Sequence, residues 1–243
     1  MMKRLTTFLL LLTVSALNAQ DKLIPSKKNG TEKWLKNEQF QMKWYALKDT
    51  LKFEIGSVNT KIALDKEKVT VTTAVEMKQM KGQWADTTVA LRKDLKPLYH
   101  SSFNPQRDMA LSFGEVVTGF YNDKIKKTKN DINEVTAVTY FDSNLYPTLV
   151  RWLPLKEGYQ QEISIFEYNP SGKKGIISAF VKDVKKGNFQ TQKSGLRKVW
   201  VVVVSDEISN NTLSTYYIDE QDRRLWKHEI NAGPRKMNME RVE

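Results

Sequence analysis

From Phe40 to the end of the chain, apolar and polar residues alternate with a period of two, and only short polar turns separate the alternating segments. Alternation of this kind marks half-buried strands. Connections of a few residues leave no room for a crossover, so consecutive strands must pair antiparallel. "KFEIGSVNTKIAL" and "KVTVTTAVEM" are the clearest cases. In the second, Val69, Val71, Thr73 and Val75 share one face and Thr70, Thr72 and Ala74 the other. "ADTTVALR", "DMALSFGEVVTGFYNDK", "EVTAVTYF", "QEISIFEYN", "GIISAFVKDV", "TLSTYYID" and "RRLWKHEI" continue the pattern. With the valine-rich run below, the expected total is about ten or eleven strands. A sheet of that size curls and has to cover its inner face.

The period changes once. In "DSNLYPTLVRWLPL", Leu145, Leu149 and Trp152 follow at i, i+4 and i+7. Asp142 or Ser143 can cap the start, Pro147 suits only the first turn, and Pro154 stops the helix. A short helix, apolar on one side and set between strands, is the natural cover for the concave face.

Val199 to Val204 break the alternation in the other direction. These are six consecutive apolar residues, five of them valine. Trp200, Val202 and Val204 point one way and Val199, Val201 and Val203 the other. Such a run belongs to a central strand covered on both faces. Tyr216 and Ile218 share a face of the next strand, and Trp226 and Ile230 a face of the one after. With Leu149 and Trp152 from the helix, the residues Trp200, Val202, Val204, Tyr216 and Trp226 form the candidate lining of an apolar ligand cavity, weighed against simple core packing.

The first twenty residues, "MMKRLTTFLLLLTVSALNAQ", have a positive n-region at Lys3 and Arg4 and an apolar core from Leu5 to Leu17. This is the layout of a secretory signal peptide, too short to span a bilayer. Cleavage is expected after Ala19, with Ala16 as the alternative. The chain contains no cysteine, so it has neither a lipoprotein attachment site nor a disulfide. The expected organisation is a signal peptide over 1–19, a polar lead-in over 20–38 and one antiparallel β domain over 39–243, periplasmic or secreted. The formal charge is +11, or +9 once Lys3 and Arg4 are removed. For an exported protein this favours anionic headgroups or polymers over nucleic acid. Lys124, Lys126 and Lys127 in "KIKKTK" are the candidate anionic contacts, and the same segment reads equally as a solvated tip.

Catalytic motifs are missing. There are two histidines, no thiol, and no HExxH, GxSxG or phosphate-loop pattern. His100 in "PLYHSSF" neighbours Ser101 and Ser102, but a nucleophilic pair also needs an orienting acid in space. His228 reads as a structural or surface residue, and Asp219 and Asp222 as turn formers. No cofactor or metal and no enzymatic activity are expected, with a hydrolase ranked last.

The succession "LVRWLPLKEGY", "EISIFEYN", "GIISAFVKDV", "VWVVVV" and "STYYIDEQDRRLWKHEI" resembles an uncharacterised family of exported bacterial β-proteins. These are similar in turn to the LolA/LolB-like periplasmic lipoprotein carriers. The resemblance covers residues 95–243, and the "LNAQ" end of the signal is similar to those of Bacteroidetes-type bacteria. It implies a mainly β fold, a large curved antiparallel sheet or incomplete β-barrel with one or two short helices covering the concave face. It also implies an apolar ligand, an acyl chain or an acylated protein held there, and the absent cysteine places the chain nearer LolA than LolB in anchoring. Two functional expectations follow. One is a non-catalytic binding protein for a lipid or other apolar ligand. The other is a structural or adaptor protein of the envelope, with a self-filled core and a basic surface that meets an anionic partner or membrane.

Overall fold

The computed structural model describes residues 21–26, 29–79, 81–233 and 235–243. The predicted signal peptide lies outside them. After a 3-10 turn, Glu32–Trp34, the described residues form fifteen strands and one α-helix. The strands are β1 (Glu38–Lys48), β2 (Leu51–Leu64), β3 (Lys68–Met77), β4 (Trp84–Leu91), β5 (Pro97–Phe103), β6 (Arg107–Ser112), β7 (Val116–Asp123) and β8 (Thr128–Val135). They continue as β9 (Phe141–Asp142), β10 (Gln161–Tyr168), β11 (Lys174–Gln190), β12 (Leu196–Asp206), β13 (Leu213–Asp219), β14 (Leu225–Ala232) and β15 (Arg235–Arg241). Helix α1 (Tyr146–Trp152) lies between β9 and β10.

All fifteen strands belong to one sheet, ordered β8-β7-β6-β5-β4-β3-β2-β1-β15-β14-β13-β12-β11-β10-β9. Two antiparallel meanders are joined where β1 pairs with β15. Every pairing between these strands is antiparallel except the two-residue contact of β9 with β10, and an isolated parallel bridge joins Leu23 to Ile163 of β10. The sheet is curved and does not close into a barrel, because β8 and β9 remain its edges. The large curved antiparallel sheet expected from the sequence is therefore present, with more strands than the alternation revealed.

One strand boundary differs from expectation. "EVTAVTYF" is not a strand; the strand is "TKNDINEV", β8, just before it. In β8 only Ile132 is buried, because an edge strand meets a neighbour on one side only. Its charged residues hide the alternation, while the apolar residues that follow form a loop whose Tyr140 joins the core.

The main core lies on the concave face. It collects Val69 and Val71 of β3, Ile163 and Ile165 of β10, Val202 and Val204 of β12, Ile218 of β13, and α1. A seven-residue helix has no stability of its own. It is held by burying Tyr146, Leu149, Val150, Arg151 and Trp152. Pro147 sits in the first turn as expected, but no side chain caps the helix. Asp142, one of the predicted caps, is occupied elsewhere.

A second core joins Met109, Leu111, Val117 and Ile132 of β6–β8 to Phe166 and Tyr168 of β10. Ile163 and Ile165 face the main core, so β10 is covered on both sides. The edge formed by β9 and β10 thus lies over the concave face of β4–β8, like the inner turn of a scroll. Edge-to-face rings, Phe113 against Phe166 with centroids 5.8 Å apart, pack the overlap.

Candidate functional site

Of the seven residues predicted to line a cavity, Leu149, Trp152, Val202, Val204 and Tyr216 come together in the main core, each at most 3% exposed. Trp200 is partly buried and packs against the same cluster. Trp226 does not join them. A bulge between Tyr217 and Ile218 pairs Ile218 with Leu225 and Tyr216 with His228. Leu225 and His228 therefore share the concave face, and Trp226 turns to the other side, where its Nε1 donates to Asp219 Oδ2 at 3.0 Å. Simple alternation, which put Trp226 beside Ile230, fails here because a bulge adds one residue to the count.

The other half of the valine run is covered differently from expectation. Val199 is fully buried, while Val201 and Val203 are only half-buried. Val201 is flanked by Lys185 and Tyr217, and Val203 by Asp183 and Thr215. A side chain at Gly187 would meet Val201 Cγ2 at 2.8 Å, so glycine makes room for the valines there. The outer cover comes from neighbouring strands of the same sheet, where the lysine stem and tyrosine ring shield the valines.

Where the scroll overlaps itself, a polar seam replaces backbone pairing. Asp142 on β9 is fully buried. One of its oxygens accepts from Thr88 Oγ1 of β4, and the other lies 2.8 Å from His100 Nδ1 of β5 and accepts from Asn144 N at 3.2 Å. Asn144 Nδ2 donates in turn to Thr88 Oγ1 at 3.0 Å. Beside the seam is a cavity of about 140 Å³ lined by Asp86, His100, Arg107, Ser143, Asn144 and Glu167. Asp142 supplies the orienting acid that sequence adjacency left open for His100. However, Ser102 Oγ accepts from Arg107 Nη2 at 3.2 Å, and neither Ser101 nor Ser102 bonds to His100. The arrangement joins layers and lacks the nucleophile–base contact of a triad. No group of three or more His, Cys, Asp or Glu side chains among the described residues can hold a metal ion.

The two histidines are tuned in opposite senses. Burial disfavours charge on His100, but the Asp142 carboxylate outweighs it and raises the imidazole above its usual 6.5. Glu167 beside it is raised by burial. His228 stacks on Tyr216 with centroids 4.1 Å apart. Its Nε2 is sealed and unpartnered, and burial lowers its pKa to about 3. Stabilisation by His100 is therefore complete below 6.5 and fades as pH rises through its folded value. Glu167 adds a loss of the same sign, beginning in the usual carboxylate range. For His228 the unfolded chain takes up a proton below 6.5 while the folded one resists until about 3, so acidification costs up to about 1.4 kcal/mol per pH unit over that window. His228→Phe is expected to flatten this acid limb and leave the alkaline one, as read from urea midpoints across pH. Parallel profiles for the two proteins would refute the assignment.

The predicted anionic contacts lie at the hairpin end formed by the β7–β8 and β10–β11 turns. Lys124 Nζ is engaged, 2.6 Å from Asp108 Oδ1 and donating to Asn104 O at 2.9 Å. Lys126 Nζ reaches Ser171 Oγ of the other hairpin at 3.3 Å, and Lys127 is exposed in the turn. Between the hairpins lies a groove of about 560 Å³ whose lining includes Trp84, Arg107, Tyr121, Lys126 and Asn169. Asp219 behaves as the predicted turn former, accepting from Gln221 N at 2.9 Å. It also anchors Arg197 and Trp226, which local pattern cannot report.

No helix among the described residues is long and apolar enough to cross a membrane. No curated protein matches the chain. Among solved structures, a β-barrel-like protein of the domain of unknown function DUF1849 from Brucella abortus superposes with a TM-score of 0.51. That match has 11% identity and covers 86% of this chain and 97% of the other. It supports the β-barrel-like fold alone and does not bear on a LolA/LolB-like relationship. The model of the protein family of unknown function DUF3108 matches residues 39–240. With a match over most of its length and strands that begin and end almost where the match does, the chain belongs to the DUF3108 family.

Proposed function

We propose that the protein is an exported, non-catalytic scaffold of the cell envelope that acts through its outer surface, with the lysine-bearing hairpin end meeting an anionic partner. The observation that carries this reading is the position of α1 in the concave face, where Leu149, Val150 and Leu153 have no exposure and Trp152 has 2%. An acyl chain held in the concave face, as in the carriers the sequence resembles, would have to displace that helix. Re-exposing one valine and two leucines costs about 1.5–3 kcal/mol each, or roughly 5–9 kcal/mol before Trp152 is counted. A ligand would have to recover that before any net affinity appeared. The export signal and the basic balance of the chain support an envelope setting.

The test is cosedimentation with envelope fractions at low and high salt, combined with native mass spectrometry. We expect the protein to carry no lipid and to bind in a salt-sensitive manner. Lys126→Gln with Lys127→Gln should weaken binding about 30-fold, at about 1 kcal/mol per basic residue near an anionic surface. Stoichiometric co-purifying lipid would favour the apolar-ligand reading instead. Binding that ignores both salt and the double substitution would remove the proposed surface.

A further inference from the structure

At the opposite end of the strands from the lysine hairpins, three arginines converge. Arg151 is in the last turn of α1, Arg223 in the β13–β14 turn and Arg241 at the end of β15. One carboxylate serves two of them. Glu38 at the start of β1 lies 2.6 Å from Arg151 Nη2 and 3.0 Å from Arg241 Nη2. Arg223 has no carboxylate within ion-pair reach among the described residues, and the nearby Glu220 acts on it only at a distance. Asp222, in the same turn, is paired with Arg224 at 3.1 Å.

The guanidiniums are held by aromatic faces and backbone. Arg151 and Arg241 lie over the Phe40 ring at 5.3 and 4.5 Å, and Arg223 lies over Trp34 at 4.4 Å. Arg151 Nε donates to Arg223 O at 2.8 Å. Arg151 is 2% exposed and Arg223 5%. Five buried nitrogens here have no hydrogen-bond partner: Arg151 Nη1, Arg223 Nε and Nη1, Arg241 Nη1 and Trp34 Nε1. All five are donors, against one unbonded acceptor, Glu38 Oε1, which Arg241 holds as an ion pair at 3.0 Å. Burying one unpaired charge costs several kcal/mol, and a cluster of unsatisfied donors with a surplus of positive charge calls for an acceptor.

We propose that Arg151, Arg223 and Arg241 form a receptor for a phosphate-type dianion. The charge fits, because three guanidiniums against one carboxylate leave two positive charges to balance. The shape fits as well, since planar guanidinium forks donate in pairs to phosphate oxygens. The 3-10 turn Glu32–Trp34 covers the site from one side through the Trp34 ring. The phosphate is either free or the monoester group of a larger envelope molecule.

Thermal unfolding of the protein with sodium phosphate, against sodium chloride of equal ionic strength, tests this directly. Phosphate should raise Tm saturably where chloride does not, and calorimetry should give a saturable isotherm. Arg223→Met should weaken phosphate binding about tenfold or more. The same substitution should raise Tm without phosphate, because it removes an unbalanced buried charge. A residue that is merely structural would give the reverse, a lower Tm and unchanged phosphate binding. Arg241→Gln provides a second variant if the first does not fold. Vesicles of phosphatidylcholine with phosphatidic acid, a monoester, against phosphatidylcholine with phosphatidylglycerol, a diester, separate the sources. Phosphate-competed binding to the first alone assigns a lipid headgroup, and binding to neither, with a saturable phosphate isotherm, assigns the free ion. Lys126→Gln with Lys127→Gln should leave phosphate binding intact, so the two proposals fail independently. No saturable response to phosphate, or full binding by Arg223→Met, would overturn the site.

Discussion

Asp142→Ala is expected to lower the unfolding free energy by about 3–5 kcal/mol, the usual result of removing one partner from a buried charged network. Thr88, His100 and the backbone of Asn144 all bond Asp142, which sits on a strand two residues long. Without it, a buried histidine faces Glu167 and Arg107 with no orienting acceptor. The loss should be local before it is global. Hydrogen exchange should quicken in β9 and along β4–β8, where the scroll overlaps, and much less in β12–β15. Asp142→Asn keeps an acceptor for Thr88 and should cost less. A change below about 1 kcal/mol in Asp142→Ala would mean that the aromatic packing of Phe113, Tyr140 and Phe166 holds the layers together unaided.

The second large effect concerns the plug. Trp152→Ala should cost about 3–5 kcal/mol, because the site is fully enclosed and cannot collapse around the lost ring. The functional readout is whether a ligand restores what the indole supplied. For a self-filled scaffold, adding a saturated fatty acid leaves the urea midpoint of the variant where it was. Recovery of most of the lost stability would show that the concave face accepts an acyl chain once the helix no longer fills it, and would return the carrier-like reading to first place.

The alternating segments and the period change at Leu145–Trp152 were enough to indicate a curved antiparallel sheet with one short helix. Those signals are local, because the side-chain direction of a strand or helix repeats within a few residues. The same locality explains the errors. β8 is an edge strand whose charges hide its period, and β14 carries a bulge that turns Trp226 away from the face its spacing implied. The polar seam and the arginine cluster left almost no trace in the pattern. His100 and Asp142 are 42 residues apart, and Arg151 and Glu38 are 113 apart. The one usable signal was a charged residue inside an apolar helix, at Arg151, which demands a buried partner wherever it is found.

By itself the sequence determined the class of fold, the placement of the helix and the basic character of the chain, since each depends on composition or on residues close together in the chain. Only the tertiary structure decided that the inner face is occupied by α1, that Asp142 locks one layer onto another, and that Arg151 and Arg241 converge on Glu38 beside an Arg223 with no ion-pair partner among the described residues. Those outcomes depend on how far the sheet curls before its edges meet, and curl is summed over fifteen strands. No single stretch of residues contains that sum.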